Sequence, residues 1–112
     1  MEITSVQQND VTVVSVMDDL DSATSVEATA YLDAEIDRGH TNLVIDLGGV
    51  AYLSSAGLRV ILDAMRKTRR SGGDVRLAGA RGNIRRVVDL AGLAQFTQTF
   101  PTVQEAVASY SL

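Results

Sequence analysis

The sequence predicts a single α/β domain in which about four helices cover a mixed, mostly parallel sheet of four to five strands. The first observation is Leu43-Val44-Ile45-Asp46-Leu47, apolar apart from Asp46 and without alternation, the pattern of a strand covered on both faces. The second is a change of period just beyond it. Leu58, Ile61, Leu62 and Met65 fall at i, i+3, i+4 and i+7, one face of a helix that starts near Ser55 and stops at Gly72-Gly73, after Arg69-Arg70. The third is length: 112 residues make one domain, residues 1–112, able to bury roughly two thirds of its unfolded surface without covalent staples.

Ile3 to Val6 and Val11 to Met17 are rich in β-branched residues and are divided by Gln7-Gln8-Asn9-Asp10, which predicts a hairpin. Asp21 or Ser22 is placed to cap a first helix that runs to about Arg38 and ends at Gly39. Its inward stripe of Ala28, Leu32 and Ile36 is narrow, so this helix is expected to be among the more exposed. The central strand and the Ser55 helix follow, and Val75, Leu77 and Gly79 continue as a parallel strand reached by that helical crossover. Asn83 is placed to cap a third helix with Ile84, Val87, Val88 and Ala91 inward, stopped at Gly92. Gln95 to Phe100 is expected to add a short edge strand. Thr102-Val103-Gln104-Glu105 is a capping box for a last helix that buries Val103, Ala106, Val107 and Tyr110.

Composition excludes several functions. There is no cysteine, hence no disulfide framework and no thiolate chemistry. Met1-Glu2-Ile3-Thr4 has no basic n-region or apolar h-region, and the longest apolar runs are far short of a membrane span, which predicts a soluble cytoplasmic protein without membrane association. The net charge of -4 hides an asymmetry: residues 1 to 58 carry ten acids against Arg38, whereas residues 59 to 112 carry nine Lys and Arg against four acids. Arg66, Lys67, Arg69, Arg70, Arg85 and Arg86 could form a basic patch. Both clusters nevertheless lie on helices with core faces, and aromatics for stacking make up only 4% of the chain, so no nucleic-acid partner is expected and a charged docking surface for a protein fits better.

His40 is the only histidine. It lies just before the central strand and Ser55 beyond its far end, about 16 Å of strand apart, so a Ser-His hydrolase is not expected. Metal constellations are absent, and Asp18, Asp19 and Asp21 fit a solvated loop better than a cation site. Gly79-Ala80-Arg81-Gly82-Asn83 matches no dinucleotide or nucleotide-phosphate loop. No cofactor is expected.

Ser54 and Ser55 stand where the central strand hands over to its helix. A cap needs one serine; the other would sit among free N–H groups at the positive end of a helix dipole, where a phosphate is tolerated. Asp46 to Leu62, which contains Leu53-Ser54-Ser55-Ala56-Gly57-Leu58-Arg59, resembles the signature of STAS domains, specifically the stand-alone anti-sigma factor antagonists of bacterial partner-switching systems. Asp19-Leu20-Asp21-Ser22-Ala23-Thr24 and Ile84-Arg85-Arg86-Val87-Val88-Asp89-Leu90-Ala91-Gly92-Leu93 are similar to two further blocks of that family. The resemblance implies a non-enzymatic phosphoprotein. Unphosphorylated, it binds an anti-sigma factor that is also a serine kinase and frees the sigma factor. Phosphorylation ends the complex, and a PPM-type serine phosphatase resets it. By the family pattern the phosphorylated serine is Ser55, with Ser54 in the place where members often have Asp and the less favoured alternative. Partner binding is implied for Asp21, Thr24, Ser54, Ser55, Ala56, Gly57 and Arg59, in a chain expected to be monomeric when free. A second reading is a partner-switching or scaffold module that acts on secretion, stress signalling or ligand sensing without direct sigma-factor control.

Overall fold

The computed structural model describes residues 1–111. β1 (Ile3–Gln8) and β2 (Val11–Val16) form the antiparallel hairpin. Gln8 pairs with Val11, so the turn is Asn9-Asp10 alone, with Asn9 at φ +58, a conformation Asn tolerates well. The expected four-residue turn is therefore shorter, and Met17 falls outside the strand. α1 (Ser25–Asp37), β3 (Asn42–Asp46), α2 (Ser55–Arg70), β4 (Asp74–Ala78), α3 (Gly82–Leu90), a 3-10 turn at Leu93–Gln95, β5 (Thr99–Phe100) and α4 (Val103–Ser109) complete the chain. The sheet order is β1-β2-β3-β4-β5, with every pair after the hairpin parallel. The expected α/β class, mixed sheet and four helices are all present.

β3 shows why its sequence carries no alternation. Leu43 and Ile45 pack into a core with Val14, Val16, Val75 and Leu77 and with residues of α1, α2 and α3. Val44, between them, packs on the opposite face with Val11, Val13, Ala78 and the α4 residues Ala106 and Val107. Tyr110 follows α4 and donates its hydroxyl to the carbonyls of Leu43 and Asp74, both 2.8 Å away. The Arg76 guanidinium stacks 3.8 Å from its ring centroid, which ties the end of α4 to two neighbouring strands.

Several expected boundaries and faces are corrected. α2 buries Gly57, Val60, Ile61, Ala64, Met65 and Thr68; Leu62 is 37% exposed, because the buried stripe runs through Gly57, Val60 and Ala64 and turns Leu62 outward. α3 begins at Gly82 with Arg81 at its cap position and no side-chain cap bond, so Asn83 is not the cap. Ala91 lies past the helix and is exposed. Gly79, at φ +76, follows β4 instead of ending it. β5 is only two residues long because the 3-10 turn takes Gln95.

α1 holds a residue that hydrophobic periodicity overlooks. Its buried positions are Ala28, Leu32 and Glu35, with Ile36 half-buried. Glu35 is only 3% exposed. It accepts hydrogen bonds from Ser5 Oγ at 3.0 Å and Arg38 Nη2 at 2.8 Å, and it lies 2.5 Å from His40 Nδ1. Burial pushes its carboxyl up, but the bonds from His40 and Ser5 and the charge of Arg38 outweigh burial and hold it below its ordinary value of 4.5.

Candidate functional site

Two loops meet beyond the C-terminal ends of β2 and β3. Leu20 donates its N–H to the Tyr52 carbonyl and accepts from Ser54 N–H, each at 2.9 Å, and Leu20 and Leu53 form an isolated parallel bridge. Leu20, Leu47, Val50 and Leu53 are buried beneath them. Tyr52 points outward while Leu53 is core. Asp46 braces the turn from below: it accepts from Ser15 Oγ at 3.1 Å and from Gly48 N–H at 2.9 Å.

The two serines divide as capping chemistry requires. Ser54 is the N-cap of α2, with extended backbone, and its side chain accepts from Gly57 N–H at 3.3 Å. Ser55 is the first helical residue and is exposed. Its hydroxyl has no hydrogen-bond partner among the described residues. The positive end of the α2 dipole lies behind it.

Asp21 and Thr24 stand on the same rim, and their side chains build the loop that carries them. Asp21 Oδ1 accepts from the Ala23 and Thr24 amides at 2.9 and 3.1 Å. Thr24 Oγ1 accepts from Asp21 N–H at 3.1 Å and donates to the Asp19 carbonyl at 2.6 Å. The continuous helix α1 starts at Ser25, but Asp21 makes the capping bonds: its carbonyl accepts from Ser25 N–H at 2.9 Å and its side chain holds the Ala23 and Thr24 amides, so of the two expected candidates Asp21 is the cap and Ser22 is not. Gly57 is buried against Leu20, and Ala56 and Arg59 lie beside Ser55 in a groove of about 400 Å³ that is also lined by Ser25, Thr29 and Asp63. The structure thus gathers all seven implied residues, from Asp21 to Arg59, at one end of the sheet. Ser25 and Thr29 were missed, although their i, i+4 spacing on α1 is a legible sign that they share a face.

His40 is elsewhere. It precedes β3, and its Nδ1 lies beside Glu35 and 3.2 Å from Gln7 Nε2, so it is not a base for Ser55. Among the described residues no group of three or more His, Cys, Asp or Glu side chains could hold a metal ion, and no helix is long and apolar enough to cross a membrane. Much of the basic C-terminal half is matched by acids: Lys67 pairs with Asp33 at 2.7 Å, Arg69 with Asp74 at 3.0 Å, Arg85 with Asp89 at 3.3 Å, and Arg66 with Asp63.

Comparison with known proteins agrees with this arrangement. The STAS domain pattern matches residues 2–106. A Bordetella bronchiseptica protein named as the anti-sigma factor antagonist BtrV is 33% identical over 90 residues, which is 80% of this chain and 75% of that one. The crystal structure of an anti-sigma factor antagonist from Mycobacterium paratuberculosis superposes with a TM-score of 0.88 at 28% identity, over 96% of this chain and 92% of that one. The antagonist SpoIIAA in its unphosphorylated form gives 0.74 at 18% identity, over 98% of both chains. The phosphorylated form of SpoIIAA, from Bacillus, also gives 0.74, at 19% identity, over 97% of this chain and 99% of that one. The chain belongs to the STAS domain family, with the fold and the relatives of anti-sigma factor antagonists.

Proposed function

We propose that this protein is a phosphorylation-gated anti-sigma factor antagonist. In its unphosphorylated state it binds an anti-sigma factor that is also a serine kinase, so that the sigma factor is released; phosphate on Ser55 ends the complex, and a PPM-type phosphatase restores it. The observation that carries this reading is the division of labour at the turn. Ser54 caps α2, and Ser55 keeps an exposed, unengaged hydroxyl beside the Asp21 loop. In this cycle the chain is ligand and substrate, and it acts in the cytoplasm.

The electrostatics support a local switch. A phosphate adds roughly -1.5 to -2 charge at pH 7. Against free solvent at a helix N-terminus that charge is tolerated, which supports a phosphate that leaves the fold intact. Inside a protein interface the same dianion must be desolvated, at a cost of several kcal/mol. Asp21, on the same rim, adds repulsion toward an acidic contact.

The test is incubation with the cognate anti-sigma kinase and ATP, read by intact mass and by sigma-factor release. One added phosphate, lost in Ser55→Ala and kept in Ser54→Ala, with release of sigma only by the unphosphorylated chain, is the expected result. Phosphate that vanishes with Ser54→Ala alone moves the site by one residue, and binding without any sigma release overturns the antagonist role.

A further inference from the structure

Beside the serine turn, a second and larger groove of about 820 Å³ runs along the outer face of α2. Ser55, Leu58, Leu62 and Met65 line it on the helix and Phe96 forms its far wall. Leu62 is 37% exposed and Phe96 55% exposed, so an apolar floor remains open to water beside a candidate switch residue. Three arginines, Arg59, Arg66 and Arg69, edge the groove with one acid, Asp63, on a chain whose net charge is -4.

We infer that this groove docks an acidic amphipathic helix of the partner protein, with Arg59 as its principal cation and Ser55 as the residue whose phosphate closes it. The inference rests on the antagonist reading and deepens it. Arg66 is engaged by Asp63, and Arg69 by Asp74 and the Phe96 carbonyl. Arg59 has no ion-pair partner among the described residues, which leaves it free to meet a carboxylate. Acidic residues of the docking helix would therefore run along the Arg59 edge of the groove, since Arg66, about two helical turns or 10 Å further on, is already held by Asp63. Leucine-type side chains between those acids would cover Leu58, Leu62 and Phe96.

The position of Arg59 also gives the phosphate a second mode of action. It follows Ser55 by four residues, one turn along the same helix face, where side chains meet. A phosphate on Ser55 would take up the Arg59 guanidinium in a charge-assisted bond, removing the cation from the partner while repelling its carboxylates. A protein segment fits better than a polyanion because the other two arginines are already matched and a single aromatic offers no stacking platform.

The test is a titration of the ¹⁵N-labelled full chain, followed by amide chemical shifts. The probes are two synthetic 14-residue amphipathic helical peptides with the same leucine positions, one flanked by Glu and the other by Lys. The Glu peptide is expected to shift Leu58, Leu62 and Phe96 saturably and to bind at least tenfold more tightly than the Lys peptide. Arg59→Glu should lower affinity for the Glu peptide at least tenfold and raise that for the Lys peptide, with unchanged spectral dispersion as the folding control. Smaller differences, shifts confined to another surface, or stronger perturbation of the same amides by a DNA duplex or phosphatidylglycerol vesicles overturn the inference. Binding of the parent chain and of Arg59→Glu to the cognate anti-sigma factor, measured in parallel, separates the two claims, the parent reporting on the antagonist role and the variant on the groove. Full binding there with failure of the peptides removes the groove and leaves the antagonist role standing; saturable Glu-peptide binding without any anti-sigma binding does the reverse.

Discussion

Gly57 lies so close to Leu20 that a Cβ built on it would stand 2.4 Å from the Leu20 carbonyl oxygen and 2.7 Å from Leu53 Cδ1. Leu20 is also the residue that bonds to Tyr52 and Ser54. The absence of a side chain at Gly57 therefore sets how closely the Asp21 loop approaches the serine turn. Gly57→Ala is expected to cost about 1–3 kcal/mol, the range for overpacking a tight interior, read as a lower urea midpoint. Its amide shifts should spread over residues 19–24 as well as α2.

The two serines should separate in stability as they do in geometry. Ser54→Ala removes the cap on Gly57 and is expected to destabilise the chain by about 1 kcal/mol. Ser55→Ala removes an exposed hydroxyl and should stay within about 0.5 kcal/mol of the parent. Paired denaturant melts check both values, and equal losses would mean that the cap is shared.

Glu35 should shape the acid limb of stability. Its carboxyl is held in the folded chain below its ordinary value of 4.5, so it stabilises the fold fully above that unfolded-state value. That contribution disappears as pH falls through the lower folded value. Glu35→Gln is expected to flatten the limb below about pH 4.5, in thermal melts taken at stepped pH.

Tyr110 ties α4 to the sheet through one hydroxyl shared by two carbonyls. Tyr110→Phe should cost about 1 kcal/mol, the net worth of a hydrogen bond, with faster amide exchange in α4 as the local readout. The effect of Arg76 substitution should be smaller in Tyr110→Ala than in the parent, because its ring partner is then gone.

Legibility followed the range of the forces involved. β3 was legible because burial on both faces imposes an apolar run, and Thr102 was legible as a cap because it bonds to Glu105 N–H only three residues on. Leu62 was misread because i, i+3, i+4 spacing defines a helix face but not which neighbours cover it. Asn83 was misplaced because a cap depends on where the backbone turns extended, and here that is Arg81.

The sequence by itself determined the class of the fold, the order of its elements, the serine pair at a strand-to-helix turn and the family resemblance, since each rests on periodicity, local hydrogen bonding or contiguous residues. Only the tertiary structure decided that Ser54 caps while Ser55 stays free, that Leu20 brings the Asp21 loop onto the same rim, and that Glu35 is buried against Ser5 and His40. It also placed Leu62 beside Phe96 and left Arg59 unpaired. Apart from the Ser54 cap, these are contacts between segments up to 34 residues apart, formed by close packing of surfaces that no local pattern in the chain encodes.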